Sequence, residues 1–309
     1  MKSERLFRAA AFVAILCLGN AFAGGEGWSN DFEAAKKQAA TEKKSLLLDF
    51  TGSDWCGWCI KLNQEVFQHD AFKNGVKDKL VLVEIDFPKD AFKLSKEVIA
   101  RNDVLKNQYA IEGFPTLLLT DERGRPFART GYKAGGPEAY VTHLNELLGK
   151  RGKRDAAFAE AAKAEGVAKA KILIKAIESM ELEDAIISTF YADEMEAIKA
   201  ADPKDESGFL KAIATKSKFG DFQTRLNELA LNKDFEGVMK YIDETLAAGT
   251  FEGEPKQRVM IFKAITFMQL KKTEDAIKTL DDAKAIAPES PISANIEGLK
   301  KRFAATLPK

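Results

Sequence analysis

The chain has 309 residues, and its 47 basic and 47 acidic side chains give a formal net charge of zero. That balance leaves no electrostatic footprint for nucleic acid. Three cysteines exclude a disulfide-framework scaffold, and two histidines argue against a His-rich metal enzyme. With 45% hydrophobic and 30% charged residues, the composition is that of an ordinary soluble globular chain of two or three domains.

The N-terminus carries Lys2, Arg5 and Arg8, then an apolar run from Ala9 to about Leu18, then Ala21-Phe22-Ala23. The run is shorter than the ~20 apolar residues a membrane span needs. Basic region, apolar core and small-residue cleavage site together predict a secretory signal peptide over 1–23. The mature chain is then expected to begin near Gly24 and to be exported, in a bacterium, as a periplasmic or secreted protein with no membrane span. Cys17 leaves with the signal, so Cys56 and Cys59 remain.

The next elements alternate in period. Asp31 to Lys44 is helix-like, with Phe32, Ala35 and Ala39 on one face. Ser45–Phe50 is a short apolar run suited to a buried strand. Cys59 to about Gln68 is a helix. Leu80–Phe87 is the clearest strand and is ended by Pro88. Phe92–Tyr109 is helical, Thr116–Thr120 is a third strand, and a turn at 121–124 leads into Phe127–Tyr132. Gly135-Gly136-Pro137 opens a last helix. Strands alternating with helices predict an α/β layer fold over 24–149.

Lys150-Arg-Gly-Lys-Arg154 reads as a charged linker. Residues 150–309 are rich in Ala, Lys, Glu and Leu and are predicted to be all α-helical, broken at Asp202-Pro203 and Gly253-Glu-Pro255. Leu226, Leu229 and Ala230 precede Met260, Lys263 and Ala264 by one tetratricopeptide-like period. Ala264, Phe267, Ala276, Ala283 and Pro288 follow the spacing of that helix–turn–helix repeat. The first unit matches weakly, with Ile242 and Gly249 where the second has Ala276 and Ala283. The alternative is a generic helical bundle with accidental register.

Trp55-Cys56-Gly57-Trp58-Cys59 is the sharpest chemical signal. It follows a buried strand by a short loop and precedes an amphipathic helix. Cys56 would then sit at a helix N-terminus, where free N–H groups and the helix dipole stabilise a thiolate, the nucleophilic form. Cys59 is one turn away, placed to attack a mixed disulfide. A structural zinc site needs four ligands, and His69 and His143 lie outside any ligand spacing. Haem attachment needs His after the second cysteine, where Ile60 stands. A purely structural bond would close too small a loop to stabilise much.

The run Leu46-Leu-Leu-Asp49-Phe-Thr-Gly-Ser-Asp-Trp55-Cys56-Gly-Trp-Cys59, with the later Gly113-Phe114-Pro115-Thr116, resembles the thioredoxin superfamily. Its approach to the cysteines is most similar to exported bacterial thioredoxin-like proteins and the terminal domains of membrane thiol-reductant transporters. The resemblance covers about 28–149 and implies a central mixed sheet flanked by helices, with Phe114–Pro115 cis and lying against the sulfurs. It implies that Gly57-Trp58 tunes redox potential; Trp58 stands where thioredoxin has Pro, which leaves the direction of electron flow open. It likens Asp49 to a buried acid that relays a proton to the resolving cysteine. The loop from Asp49 to Cys56 is one residue longer than in thioredoxin, so a strand-end cap is the alternative for Asp49. Trp55 is expected both to shield the sulfurs and to pack locally, and Trp58 to be more exposed. Lys61 reads as a solvated helix-face residue with a possible pull on the thiolate.

These readings lead to an exported thiol–disulfide oxidoreductase that reduces or isomerises protein disulfides. Cys56 attacks, Cys59 resolves, and Pro115 and neighbouring backbone hold the substrate chain extended. No organic cofactor or metal is needed, because the redox group is the Cys56–Cys59 pair. The partners are disulfide-containing client proteins and a membrane or soluble thiol reductant, with no nucleic acid. The rival reading is a binding module in which the helical half does the work and the α/β fold is a scaffold.

Overall fold

The structure, a computed structural model, describes residues 27–306. The signal-peptide expectation lies outside the described residues. Among those described, no helix is long and apolar enough to cross a membrane. The chain divides into two compact units between Pro203 and Lys204.

The first unit is built on five strands: β1 (Trp28–Ser29), β2 (Ser45–Thr51), β3 (Leu80–Asp86), β4 (Thr116–Thr120) and β5 (Pro126–Thr130). Their order is β1-β3-β2-β4-β5. β1 and β2 run parallel to β3, while β4 is antiparallel to β2 and β5 antiparallel to β4. Every residue of the central β2 is buried, which is why Ser45–Phe50 reads as a nearly continuous apolar run rather than an alternating one.

Leu46, Leu48 and Phe50 pack against Phe32, Ala35 and Ala39 of α1 (Phe32–Glu42), Leu105 of α4 (Lys96–Gln108) and Tyr109, which caps that helix. A second layer joins α2 (Gly57–Leu62), a π-helical turn at Asn63–Phe67, α3 (Asp70–Val76) and α5 (Gly136–Ala161). Its aromatic centre is Phe67, Phe72 and Tyr140, with Trp28 against the two phenylalanines.

Three boundaries differ from the sequence reading. The helix expected over 92–109 starts at Lys96, where the Ser95 hydroxyl accepts the Val98 amide as an N-cap. The segment 91–93 is a separate 3-10 turn capped by Asp90. Most importantly, Lys150–Arg154 is no linker: it lies inside the 26-residue α5. Its charges are used locally rather than solvated. Arg154 is buried, with its guanidinium on the Asp121 carboxylate at 3.0 Å and on the Tyr191 hydroxyl at 2.9 Å. Arg151 pairs with Glu122 and Lys150 with Glu181, each at 2.6 Å.

The helices that follow, α6 (Gly166–Met180), α7 (Asp184–Phe190) and α8 (Ala192–Ala201), therefore complete the first unit. Ile186 enters the sheet core, Phe190 stacks on Tyr109 at 4.7 Å, and the Tyr191 hydroxyl donates to the Pro126 carbonyl.

The second unit is all helical: α9 (Phe209–Leu231), α10 (Phe235–Ala247), α11 (Gly253–Gln269), α12 (Thr273–Ile286) and α13 (Ser293–Ala304). Two tight turns carry Lys233 and Lys271 in the left-handed region, at φ 57° and 59°. These turns lie 38 residues apart, so the two hairpins keep a 38-residue register rather than the tetratricopeptide period read from Leu226 and Ala230. In that register Leu226, Val238 and Ile242 match Ala264, Ala276 and Leu280, all buried. Bulky residues in the first hairpin stand where the second has alanines, which hid the relation. Gln257 is fully buried in α11. Its amide donates to the Ala283 and Ala287 carbonyls and to Ser293 Oγ, at 2.8–3.2 Å, which offsets its desolvation.

Candidate active site

The loop leaving β2 is shaped by its own side chains. The amides of Trp55 and Cys56 both donate to the Gly52 carbonyl, at 3.2 and 2.9 Å. The Trp55 ring folds back over Gly52 so closely that a Cβ there would lie 2.6 Å from Cε2. Glycine is the residue that admits this packing. Trp55 Nε1 donates to the Phe87 carbonyl at 2.7 Å. Asp54 accepts the Lys89 and Asp90 amides at 2.9 and 3.2 Å and pairs with Lys93 at 3.2 Å. The Lys89 amide leads in holding its carboxyl down at about 2. The loop after β3 is thus fastened to the loop before the cysteines.

Cys56 is the N-cap of α2 and forms a disulfide with Cys59, with an S–S distance of 2.05 Å. The Cys59 amide donates to Cys56 Sγ at 3.2 Å. An amide aimed at this sulfur from the first turn of a helix stabilises negative charge on it once the bond is reduced. Both cysteines are buried, at 7% and 4% exposure, whereas Trp55 and Trp58 are 42% and 57% exposed. A Cβ on Gly57 would meet nothing within 4 Å, so no contact in the fold demands glycine there. Trp58 packs against Tyr132 at 5.1 Å between ring centres. The Tyr132 hydroxyl donates to Glu65 at 2.6 Å, and Lys61 lies over both rings at 5.2 Å.

The Phe114–Pro115 peptide bond is cis. Phe114 meets Trp55 edge-on at 5.9 Å and stacks on Phe87 at 5.2 Å, which brings this loop to the side of the cysteine loop. Gly131 permits a close approach on the other side, since a Cβ there would be 3.2 Å from the Pro115 carbonyl.

Asp49 is buried in β2, with Oδ1 lacking any hydrogen-bond partner, so this oxygen caps no backbone group. Across the parallel pairing, Asp49 is level with Glu84, and Thr51 with Asp86. Three carboxyls, Asp49, Glu84 and Asp86, therefore share one side of the strand pair. Asp86 accepts the Ser53 amide at 2.8 Å and the Ser53 hydroxyl at 2.6 Å. Burial first, then the charges of Glu84 and Asp86, push Asp49 well above the usual carboxylate range. Burial, with Asp86 adding, pushes Glu84 up to about 7.

Sequence reasoning missed Glu84, Asp86, Tyr132, Glu65 and Phe87. One signal was available for the first two. Glu84 and Asp86 interrupt an otherwise apolar strand, and a carboxyl in a central strand demands an explanation. Tyr132 and Glu65 carry no local signal, because their pairing spans 67 residues.

A family model described as a thioredoxin-like domain matches residues 32–147. The chain is 38% identical over 121 residues to the disulfide bond reductase DsbH of Chlamydia pneumoniae, covering 39% of this chain and 72% of that one. It is 26% identical over 118 residues to the thiol:disulfide interchange protein DsbD of Actinobacillus pleuropneumoniae serotype 5b (strain L20). That match covers 37% of this chain and only 18% of the relative. A solved DsbH oxidoreductase aligns at 33% identity and a TM-score of 0.38, over 48% of this chain and 94% of the other. With the Cys56–Cys59 pair at the head of α2, the family match over 32–147 and the 38% identity to DsbH establish that the chain belongs to the thioredoxin-like family and is a thiol–disulfide oxidoreductase.

Proposed function

We propose that this protein is an exported reductant of protein disulfides. Cys56 is the attacking sulfur and Cys59 the resolving one. The observation that carries the assignment is the Cys59 amide donating to Cys56 Sγ at the helix N-terminus. In the reduced protein the Cys56 thiolate attacks a client disulfide, forming a mixed disulfide and releasing one client thiolate. Cys59 then gives up its proton and attacks Cys56 Sγ. This breaks the mixed disulfide, frees the second client thiol and closes the Cys56–Cys59 bond. Two electrons pass from the dithiol to the client.

Asp49 in its carboxylate form is the group suited to take that proton, because burial and the charges of Glu84 and Asp86 favour the neutral acid that results, and its unpartnered Oδ1 supports this role. Trp55, Trp58, Phe114 and Pro115 form the apolar rim against which a client segment lies, and Gly57-Trp58 sets the potential. A thiol reductant, membrane-bound or soluble, regenerates the dithiol, and the pair needs no further cofactor. Similarity to a protein named a disulfide bond reductase supports the reducing direction. The tripartite N-terminal sequence supports export to a periplasm or beyond.

Cys59→Ser is expected to trap mixed disulfides with client proteins, whereas Cys56→Ser traps none. Equal trapping by both would overturn the assignment. A Cys56–Cys59 potential near thioredoxin's, about −270 mV, fits a reductant, and one near about −120 mV would overturn it.

A further inference from the structure

The rings that flank the redox pair carry ammonium groups. Lys89 Nζ lies 5.8 Å from the centre of the Trp55 ring. Lys106 Nζ lies 5.6 Å from Phe87 and 5.7 Å from Phe114. A lysine held against a ring face keeps its three donors and its charge for another partner. Two carboxylates of the surrounding loops are already engaged. Asp54 takes the Lys89 and Asp90 amides and Lys93, and Glu65 takes the Tyr132 hydroxyl and Lys61. Glu112 is exposed on the loop before Phe114 and pairs with neither Lys89 nor Lys106. Among the described residues these two lysines have no carboxylate within ion-pair distance. Neither ammonium group is therefore tied up in an ion pair, and both stand over the aromatic rim that runs from Trp55 to Phe114.

Resting on the reductase reading above, we propose that Lys89 and Lys106 make this rim a docking surface for extended client segments that carry Asp or Glu beside the disulfide cysteine. The aromatic faces take the apolar part of the segment. The two ammonium groups, at the edge of a low-dielectric surface, select its charge. A client with Lys or Arg at those positions is repelled and docks slowly. Charge at the rim of an interface acts mainly on the rate of encounter, so salt weakens the preference.

The test uses the full chain, reduced beforehand, in single turnovers against three synthetic peptides. Each peptide carries the same disulfide, with flanks of Asp and Glu, of Ser and Asn, or of Lys. At about 0.02 M salt the acidic peptide is expected to be reduced roughly tenfold faster than the basic one. At about 0.5 M salt, where charges are screened beyond about 4 Å, the ratio falls below about two. Lys89→Gln with Lys106→Gln removes the preference and leaves the neutral peptide's rate unchanged. Lys89→Glu with Lys106→Glu reverses the preference. Equal rates for all three peptides, or a preference that survives the double glutamine variant, would overturn the docking inference while leaving the reductase reading intact. Failure to reduce any of the three would overturn both.

Discussion

Replacing Glu84 by Gln tests the acidic row shared by β2 and β3. Gln keeps the size and hydrogen-bonding shape of the protonated acid but cannot ionise. The folded protein pushes Glu84 from its ordinary 4.5 up to about 7, chiefly by burial and secondarily through the Asp86 charge. A shift of that size is worth about 3 kcal/mol at 1.36 kcal/mol per unit. Because the folded-state value is raised, the folded chain holds a proton that the unfolded chain has lost between these two values. The contribution of Glu84 is most favourable below about pH 4.5, declines as pH rises, and is lost above about 7.

The variant is therefore expected to match wild type near pH 4 and to exceed it by up to about 3 kcal/mol near pH 8.5. Urea unfolding of both oxidised proteins, at steps of pH across that range, reads the difference directly. A gap that does not change with pH, or one that shrinks as pH rises, would refute the argument. Asp49 is also raised and its charge is coupled to that of Glu84, so the full wild-type profile belongs to the row, and only the difference between proteins isolates Glu84.

Gly52→Ala forces the Trp55 ring off the backbone. It is expected to cost about 1–3 kcal/mol and to alter the near-ultraviolet circular dichroism; wild-type spectra and stability would refute the packing argument. Arg154→Ala leaves the Asp121 carboxylate without its buried partner and is expected to cost about 3–5 kcal/mol in urea melts, with a loss under about 1 kcal/mol counting against the clamp. A chain ended after residue 203 is expected to fold, whereas one ended after 147 loses the buried Ile186 and Tyr191, worth about 5 kcal/mol together. Equal melting temperatures for the two would show that α6–α8 are dispensable.

What the sequence made legible follows the range of its signals. Ser45–Phe50, Thr116–Thr120 and the Cys-Gly-Trp-Cys run are local patterns, and each lands on the element or turn it predicts. Asp49 was legible through its likeness to a buried acid of the thioredoxin superfamily, but its neighbours were not, because Glu84 meets it only through strand register. Lys150–Arg154 was misread for the same reason. A cluster of charges looks solvated until the chain returns with Asp121, Glu122 and Glu181 to meet it. The two hairpins of the second unit share turns and burial but not residue types, so the spacing of alanines in the sequence suggests a period that the helices do not keep.

The tethers between β5 and the helices after it bear on how copies of this protein behave at high concentration. Among the described residues β5 pairs only with β4, so it ends the sheet with one row of peptide groups facing outward. Such a row is a template for a strand from another molecule. Here the strand begins with Pro126, which has no N–H to offer and whose carbonyl takes the Tyr191 hydroxyl. Arg125 just before it holds Phe190 and Glu194, and Arg129 within it holds Glu183. The tethers from α7 and α8 therefore cover part of an edge that would otherwise be open to edge-to-edge pairing between copies of the chain.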